Sequence, residues 1–192
     1  IVRSVDFEDV TLPHETMGAL FALTRRDAGS GEVRIEKVRL ENAVVKLEQG
    51  QFGPFDADVA SAAGGGGELS LATRDGGFKA RVEPAEGASY ALAISARKWT
   101  LPVGPAVRFD ELEIKGTANG SGAELTQISG RLYGGTLNGS AKTSWSDGIT
   151  VEGELDLKQL ELKEAAALFS KKTRVSGQLV ARPVFSARAQ AA

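Results

Sequence analysis

The stretch that most constrains the fold is Glu124 to Leu157, ELTQISGRLYGGTLNGSAKTSWSDGITVEGELDL. Ile128 and Leu132 alternate with polar neighbours; so do Leu137, Ala141 and Trp145, and then Ile149, Val151, Leu155 and Leu157. A period of two places these side chains on one face of a sheet and Ser129, Arg131, Asn138, Ser140, Lys142, Glu152, Glu154 and Asp156 on the other. Gly134-Gly135 has the composition of a two-residue hairpin turn, and Ser146-Asp147-Gly148 that of a second turn. The expectation is three antiparallel strands, apolar on one face and wet on the other.

The same rhythm extends upstream. Val2 to Val10 reads as a strand, broken at Thr11-Leu12-Pro13. Met17, Leu20, Phe21 and Leu23 fall at helical spacing, with Pro13 before them and Arg25-Arg26 at the C-terminal end, which predicts a short amphipathic helix over His14 to Arg26. Glu32 to Glu48 is long for one strand. Val33 and Ile35 share a face, Val38 and Leu40 take over after Glu36-Lys37, and Val45 and Leu47 follow, a change of phase that predicts a bulge or a break. Phe55, Ala57 and Val59 begin a further strand, and SAAGGGG (61–67) reads as a flexible connection. Glu68 to Thr73, Phe78 to Glu83 and Ser89 to Ala96 are strands separated by RDGG and PAEG turns. Lys98 to Pro105 reads as an irregular link, and Val107 to Ala118 as a strand with a slip at Asp110-Glu111. Beyond Leu157, Lys163 to Ser170 has a helical composition. Arg174 to Arg188 returns to a strand in which Pro183 marks an edge or bulge. The fold class expected is mainly β: a curled antiparallel meander sheet with two short helices. A subdivision at the glycine-rich run separates 1–60 from 68–192.

Chemistry-bearing patterns are few. There is no cysteine, which removes disulfides, thiolate metal sites and cysteine nucleophiles. The single histidine, His14, has no nucleophile-elbow motif to serve, and a second imidazole for a metal is lacking. The glycine run lacks the Lys-Ser/Thr of a phosphate-binding loop. Asp110-Glu111 and the pair Glu152 and Glu154, about 7 Å apart along one strand face, belong to a solvated surface rather than to a glycosidase dyad. A net charge of −2 with mixed signs gives no nucleic-acid footprint. No run of apolar residues is long enough to span a bilayer. The expectation is a non-enzymatic protein without cofactor or metal. The chain opens in strand-like alternation at Ile1-Val2-Arg3-Ser4 and reads as a piece of a longer protein.

The order Leu132-Tyr133-Gly134-Gly135, Gly139-Ser140-Ala141, Val151 to Leu157, Leu160 to Phe169 and Val175-Ser176-Gly177, with Val33 to Leu47 and Phe55-Asp56-Ala57 before it, resembles the C-terminal region of AsmA-like proteins of Gram-negative bacteria. That resemblance implies a periplasmic body tethered to the inner membrane through an anchor this chain does not contain. It also implies kinship with bridge-like lipid-transfer proteins, whose sheet curls into a taco-like open β-groove. It implies a role in outer-membrane biogenesis, with phospholipid or other acyl chains as partners and no transferable catalytic residue. Read this way, Ile128, Leu132, Leu137, Trp145, Ile149, Val151, Leu155 and Leu157 are candidates for a lipid-facing surface. The other reading is a structural or interaction β domain with an ordinary closed core, adding to a neighbouring β domain by edge pairing.

Overall fold

The computed structural model describes residues 2–13, 35–47, 50–61, 67–87, 89–102, 105–145, 149–167 and 175–189. The predicted helix over His14 to Arg26, and with it the only histidine, lies outside these residues. The protein is mainly β, with thirteen strands among the described residues. It divides into two compact units, Ile1–Ala88 and Ser89–Ala192. The division falls later than the glycine-rich run because that run joins two paired strands: Ser61 and Gly67 face each other across an antiparallel ladder.

In the first unit, β3 (Lys37–Leu47), β4 (Gly50–Ser61), β5 (Gly67–Thr73) and β6 (Phe78–Pro84) follow one another in space as in sequence. The region read as one strand and a break is instead two short strands, β1 (Val5–Glu8) and β2 (Thr11–Pro13), both parallel to β3. Thr11-Leu12-Pro13 therefore extends the sheet edge instead of ending it. Pro13 is tolerated there because an edge position does not need its missing N–H. A parallel neighbour demands a crossover of a dozen or more residues, and residues 14–36 separate β2 from β3.

Within β3 the phase changes at Asn42, beyond the Glu36-Lys37 position read from the sequence. Asn42 takes a left-handed φ of 54°, and Asp9, at the matching position between β1 and β2, takes 53°. The Asn42 side chain donates to the Asp9 carboxylate, and its backbone N–H donates to Asp56 Oδ1 at 2.8 Å. Asx residues tolerate this conformation because their short polar side chains bond locally. The two kinks coincide, so Val38 and Leu40 before them, and Ala43 and Val45 after them, all reach the buried face with Phe55, Ala57, Val59 and Leu71. Phe52 stacks on Phe55 with centroids 5.4 Å apart and meets Phe78 edge-on at 5.1 Å. On the opposite face Asp58 binds Lys37 at 2.9 Å and Arg39 at 3.1 Å. Partial burial pushes the Asp58 carboxyl up, but the hydrogen bonds from Lys37 and Arg39 outweigh it and hold the group below its ordinary value.

The second unit is an antiparallel meander of β7 (Tyr90–Thr100), β8 (Arg108–Ala118), β9 (Gly122–Leu132), β10 (Gly135–Ser144) and β11 (Ile149–Glu161). Helix α1 (Leu162–Ala167) follows. Then β12 (Gln178–Ala181) and β13 (Val184–Ala189) both pair with β11. The predicted final strand is thus split at Arg182-Pro183, and the Pro183 carbonyl accepts the Leu155 N–H at 3.0 Å. Among the described residues no pairing joins β7 to β12 or β13, so this unit's sheet stays open. The link predicted at Lys98 is strand as far as Thr100: Trp99 pairs with Phe109, their rings stacked at 6.3 Å, past a left-handed Lys98.

Two local details differ from the sequence reading. The hairpin between β9 and β10 turns on Tyr133-Gly134, not Gly134-Gly135, since Leu132 and Gly135 already pair. Tyr133 is held at a φ of 48° while its hydroxyl accepts the Arg108 N–H at 3.1 Å. Strand β11 also runs past Leu157 through a bulge at Lys158-Gln159, which returns Leu160 to the same face as Leu157.

Glycine is required where strands approach one another closely. A Cβ on Gly139 would lie 2.2 Å from the Glu154 carbonyl oxygen and 2.8 Å from Leu155 Cδ2. We predict that Gly139→Ala destabilises this unit by about 1–3 kcal/mol, the usual cost of forcing atoms into a packed site. Gly120→Ala, where a Cβ meets nothing within 4 Å, should stay within about 0.5 kcal/mol of the parent. Urea titration followed by tryptophan fluorescence reads the unit directly, because both tryptophans, Trp99 and Trp145, belong to it.

Candidate functional site: the apolar face of the second unit

Register pairs show which side chains share a face. One row crosses five strands as Ile94, Ile114, Ile128, Gly139 and Leu155. The next runs Ala96, Leu112, Gly130, Leu137, Leu157 and Ala181. With strands about 4.8 Å apart, four steps span roughly 19 Å of sheet. The opposite face carries Glu113, Lys115, Ser129, Asn138, Glu154 and Asp156, so the sheet is apolar on one side only.

This face has two zones. At one end, Leu132 and Leu137, each 6% exposed, and Leu160, at 4%, form a buried cluster. Phe109, Ile128, Leu155, Leu157 and Leu179 pack against it. Toward β7, Leu92, Ile94 and Ile114 are only half-buried, as is Val151 in β11. The first unit differs: its equivalent face holds eight hydrophobic residues at 9% exposure or less.

The sequence-derived candidates separate accordingly. Leu132 and Leu137 are core. Ile128, Leu155 and Leu157 border the core and keep part of their surface. Val151 lies farther along the same face, opposite Thr143. Ile149 pairs with Ala189 at the start of β11, and its side chain lies outside the described residues. Trp145 is not in the row. It follows the end of β10, is 43% exposed, and donates its indole N–H to the Gly120 carbonyl at 2.9 Å. The period-two pattern extended it onto the face, whereas hydrogen bonding ties it to the turn at Asn119–Gly122, itself closed by Asn119 Oδ1 accepting from Ser121 and Gly122. The sequence reading did not include Leu92, Ile94 and Ile114 among the surface candidates; their register against Ile128 becomes apparent only from the pairing of β7, β8 and β9.

On the polar face the acidic residues are laid out as cross-strand partners. Glu152 faces Lys142, and Glu111 faces Arg131. Asp156 binds Lys158 at 3.0 Å and Arg182 at 3.4 Å. The hydrogen bond from Lys158 and the two positive charges hold its carboxyl below the ordinary value. Among the described residues no group of three or more His, Cys, Asp or Glu side chains is arranged to hold a metal. No helix among them is long and apolar enough to cross a membrane. Comparison with family models, curated proteins and solved structures gives no match.

Two outcomes follow. Leu137→Ala should cost about 2–5 kcal/mol, whereas Ile114→Ala, at an only partly buried position, should cost clearly less; urea midpoints compare them. Because Asp156 has a depressed folded value, its contribution is present above the ordinary 3.8 and is lost as pH falls through the lower folded value. The parent's advantage over Asp156→Asn in urea midpoint should therefore shrink as pH is lowered from 6 through that range.

Proposed function

We propose that the second unit is a non-enzymatic lipid-binding module whose apolar face accommodates acyl chains. The observation that carries this reading is the only partly buried row of Ile94, Ile114, Ile128 and Leu155 on an open, one-sided sheet. Removing a large aliphatic side chain from water is worth roughly 1.5–3 kcal/mol, so several such chains in one row favour an apolar cover. An extended hydrocarbon chain suits a continuous, uncharged surface of this kind, because it brings no polar groups that need partners. Gly130 and Gly139 leave the centre of the face without projecting side chains. The resemblance to AsmA-like proteins supports the same reading. With it come the proposals of a periplasmic location, an inner-membrane tether in the full-length protein and a part in outer-membrane biogenesis.

The test is binding of a fluorescently labelled phospholipid to the purified chain. The parent should bind saturably. Ile114→Asp, which puts a charge on the row without touching the buried cluster, should weaken binding at least about tenfold, or ~1.4 kcal/mol, while its urea midpoint shows the unit still folded. Lack of saturable binding by the parent, or equal binding by a folded Ile114→Asp protein, would exclude the reading.

A further inference from the structure

The exposed hydrophobic residues are not scattered. Six large ones are exposed among the described residues, and five of them belong to two sheet margins. Val2 and Phe7 lie at the β1 margin of the first unit. Val175, Val180 and Val184 lie at the β12–β13 margin of the second, with Val180 at 67% and Val184 at 81% exposure. Both margins are strand edges: among the described residues β1 pairs only with β3, and β12 and β13 only with β11. Open edges offer unpaired backbone groups to another strand and are usually blunted by charge, and a hydrophobic open edge is a pairing surface.

The charges on the two margins are opposite. Residues 2–13 carry Asp6, Glu8 and Asp9 against the single Arg3, whereas residues 175–189 carry no acid and two arginines, Arg182, paired with Asp156 of the same chain, and Arg188. Face assignments match as well. Asp6 and Glu8 share the polar face with Arg39 and Glu41, while Val5 and Phe7 share the apolar one with Val38 and Leu40. In β13, Val184, Ser186 and Arg188 share the polar face with Glu154, Glu152 and Thr150, and Phe185 and Ala187 share the apolar face with Gly153 and Val151. Laying β1 beside β13 with polar faces aligned sets Asp6 and Glu8 against Ser186 and Arg188, and Phe7 against Ala187. Pairing β1 with its own copy would instead set acid against acid, which is unfavourable across strands.

We propose that these margins are complementary strand-addition surfaces and that the β1 margin of one copy of this chain docks on the β13 margin of another, head to tail. Such a heterologous contact leaves one free edge at each end, so assembly continues to a ring or an open chain and does not stop at a symmetric dimer. The proposal does not depend on what the apolar face binds.

Sedimentation velocity of the full chain, from about 5 to about 500 µM in low salt, tests it. The expected result is a concentration-dependent series of species above the monomer. Asp6→Lys with Glu8→Lys should weaken association about tenfold, and Arg188→Glu should do the same. All three substitutions in one chain should restore it, since the charges are then exchanged between the margins. Circular dichroism confirms that each variant is folded. A monomer at every concentration would overturn the proposal, as would a closed dimer, or association that is unaltered by the edge variants but abolished by Ile114→Asp.

Discussion

The structure depends on strand alternation that keeps one face of the sheet apolar across many strands, together with glycines where those strands press closest. Alternation alone puts Ile114, Ile128 and Leu155 on one side and Glu113, Ser129 and Glu154 on the other. At Gly139 the neighbouring backbone leaves no room for even a methyl group. Curvature in designed sheets is introduced with bulges and glycines, and both recur here. Bulges break the registers of β9 with β10, β8 with β9 and β11 with β12. Each bulge resets the phase, and the apolar set is carried past the reset: Leu157 before it and Leu160 after it share a face. The price of this arrangement falls on a few residues, Asp9, Asn42, Lys98, Tyr133 and Gln159, held at positive φ.

The two units use that constraint differently. In the first, Val38, Leu40, Phe55 and Val59 are fully or almost fully buried, and stacked phenylalanines extend the cluster. In the second, the buried hydrophobic residues are Leu132, Leu137 and Leu160 with Ala96 and Leu112, and the isoleucines of β7 and β8 are only partly buried. A sheet face that is wholly a core and one that is partly open are indistinguishable in sequence, since both read as alternating aliphatics. Burial separates them, and the proposed function rests on that separation.

Much of the fold was legible because its determinants are local. The β9–β10–β11 meander, the β5–β6 hairpin and the interruption at Pro183 all follow from period-two patterns and turn residues. Other features are not local. The parallel docking of β1 and β2 on β3 depends on a partner more than thirty positions away. The hairpin at Tyr133-Gly134 was misplaced by one residue, because glycine composition marks Gly135 as strongly as Gly134, whereas close approach to Lys158 and not turn geometry accounts for Gly135. Trp145 was assigned to the face by extending a strand one residue too far. Leu160 was not placed on the apolar face because a left-handed Gln159 inverts the alternation just before it. Of the sequence-derived candidates, Ile128, Leu155 and Leu157 share one face with Leu92, Ile94 and Ile114, which the sequence reading left out.

Photo-crosslinking is the most direct test of the central claim, that the partly buried row meets lipid. A benzophenone amino acid placed at Ile114, compared with one at Glu113 on the opposite face, samples both sides of the same strand in membrane-containing cells. The account predicts phospholipid adducts, detected by mass spectrometry, at position 114 and not at 113. Equal adducts at both positions, or adducts at 114 to protein alone, would contradict it.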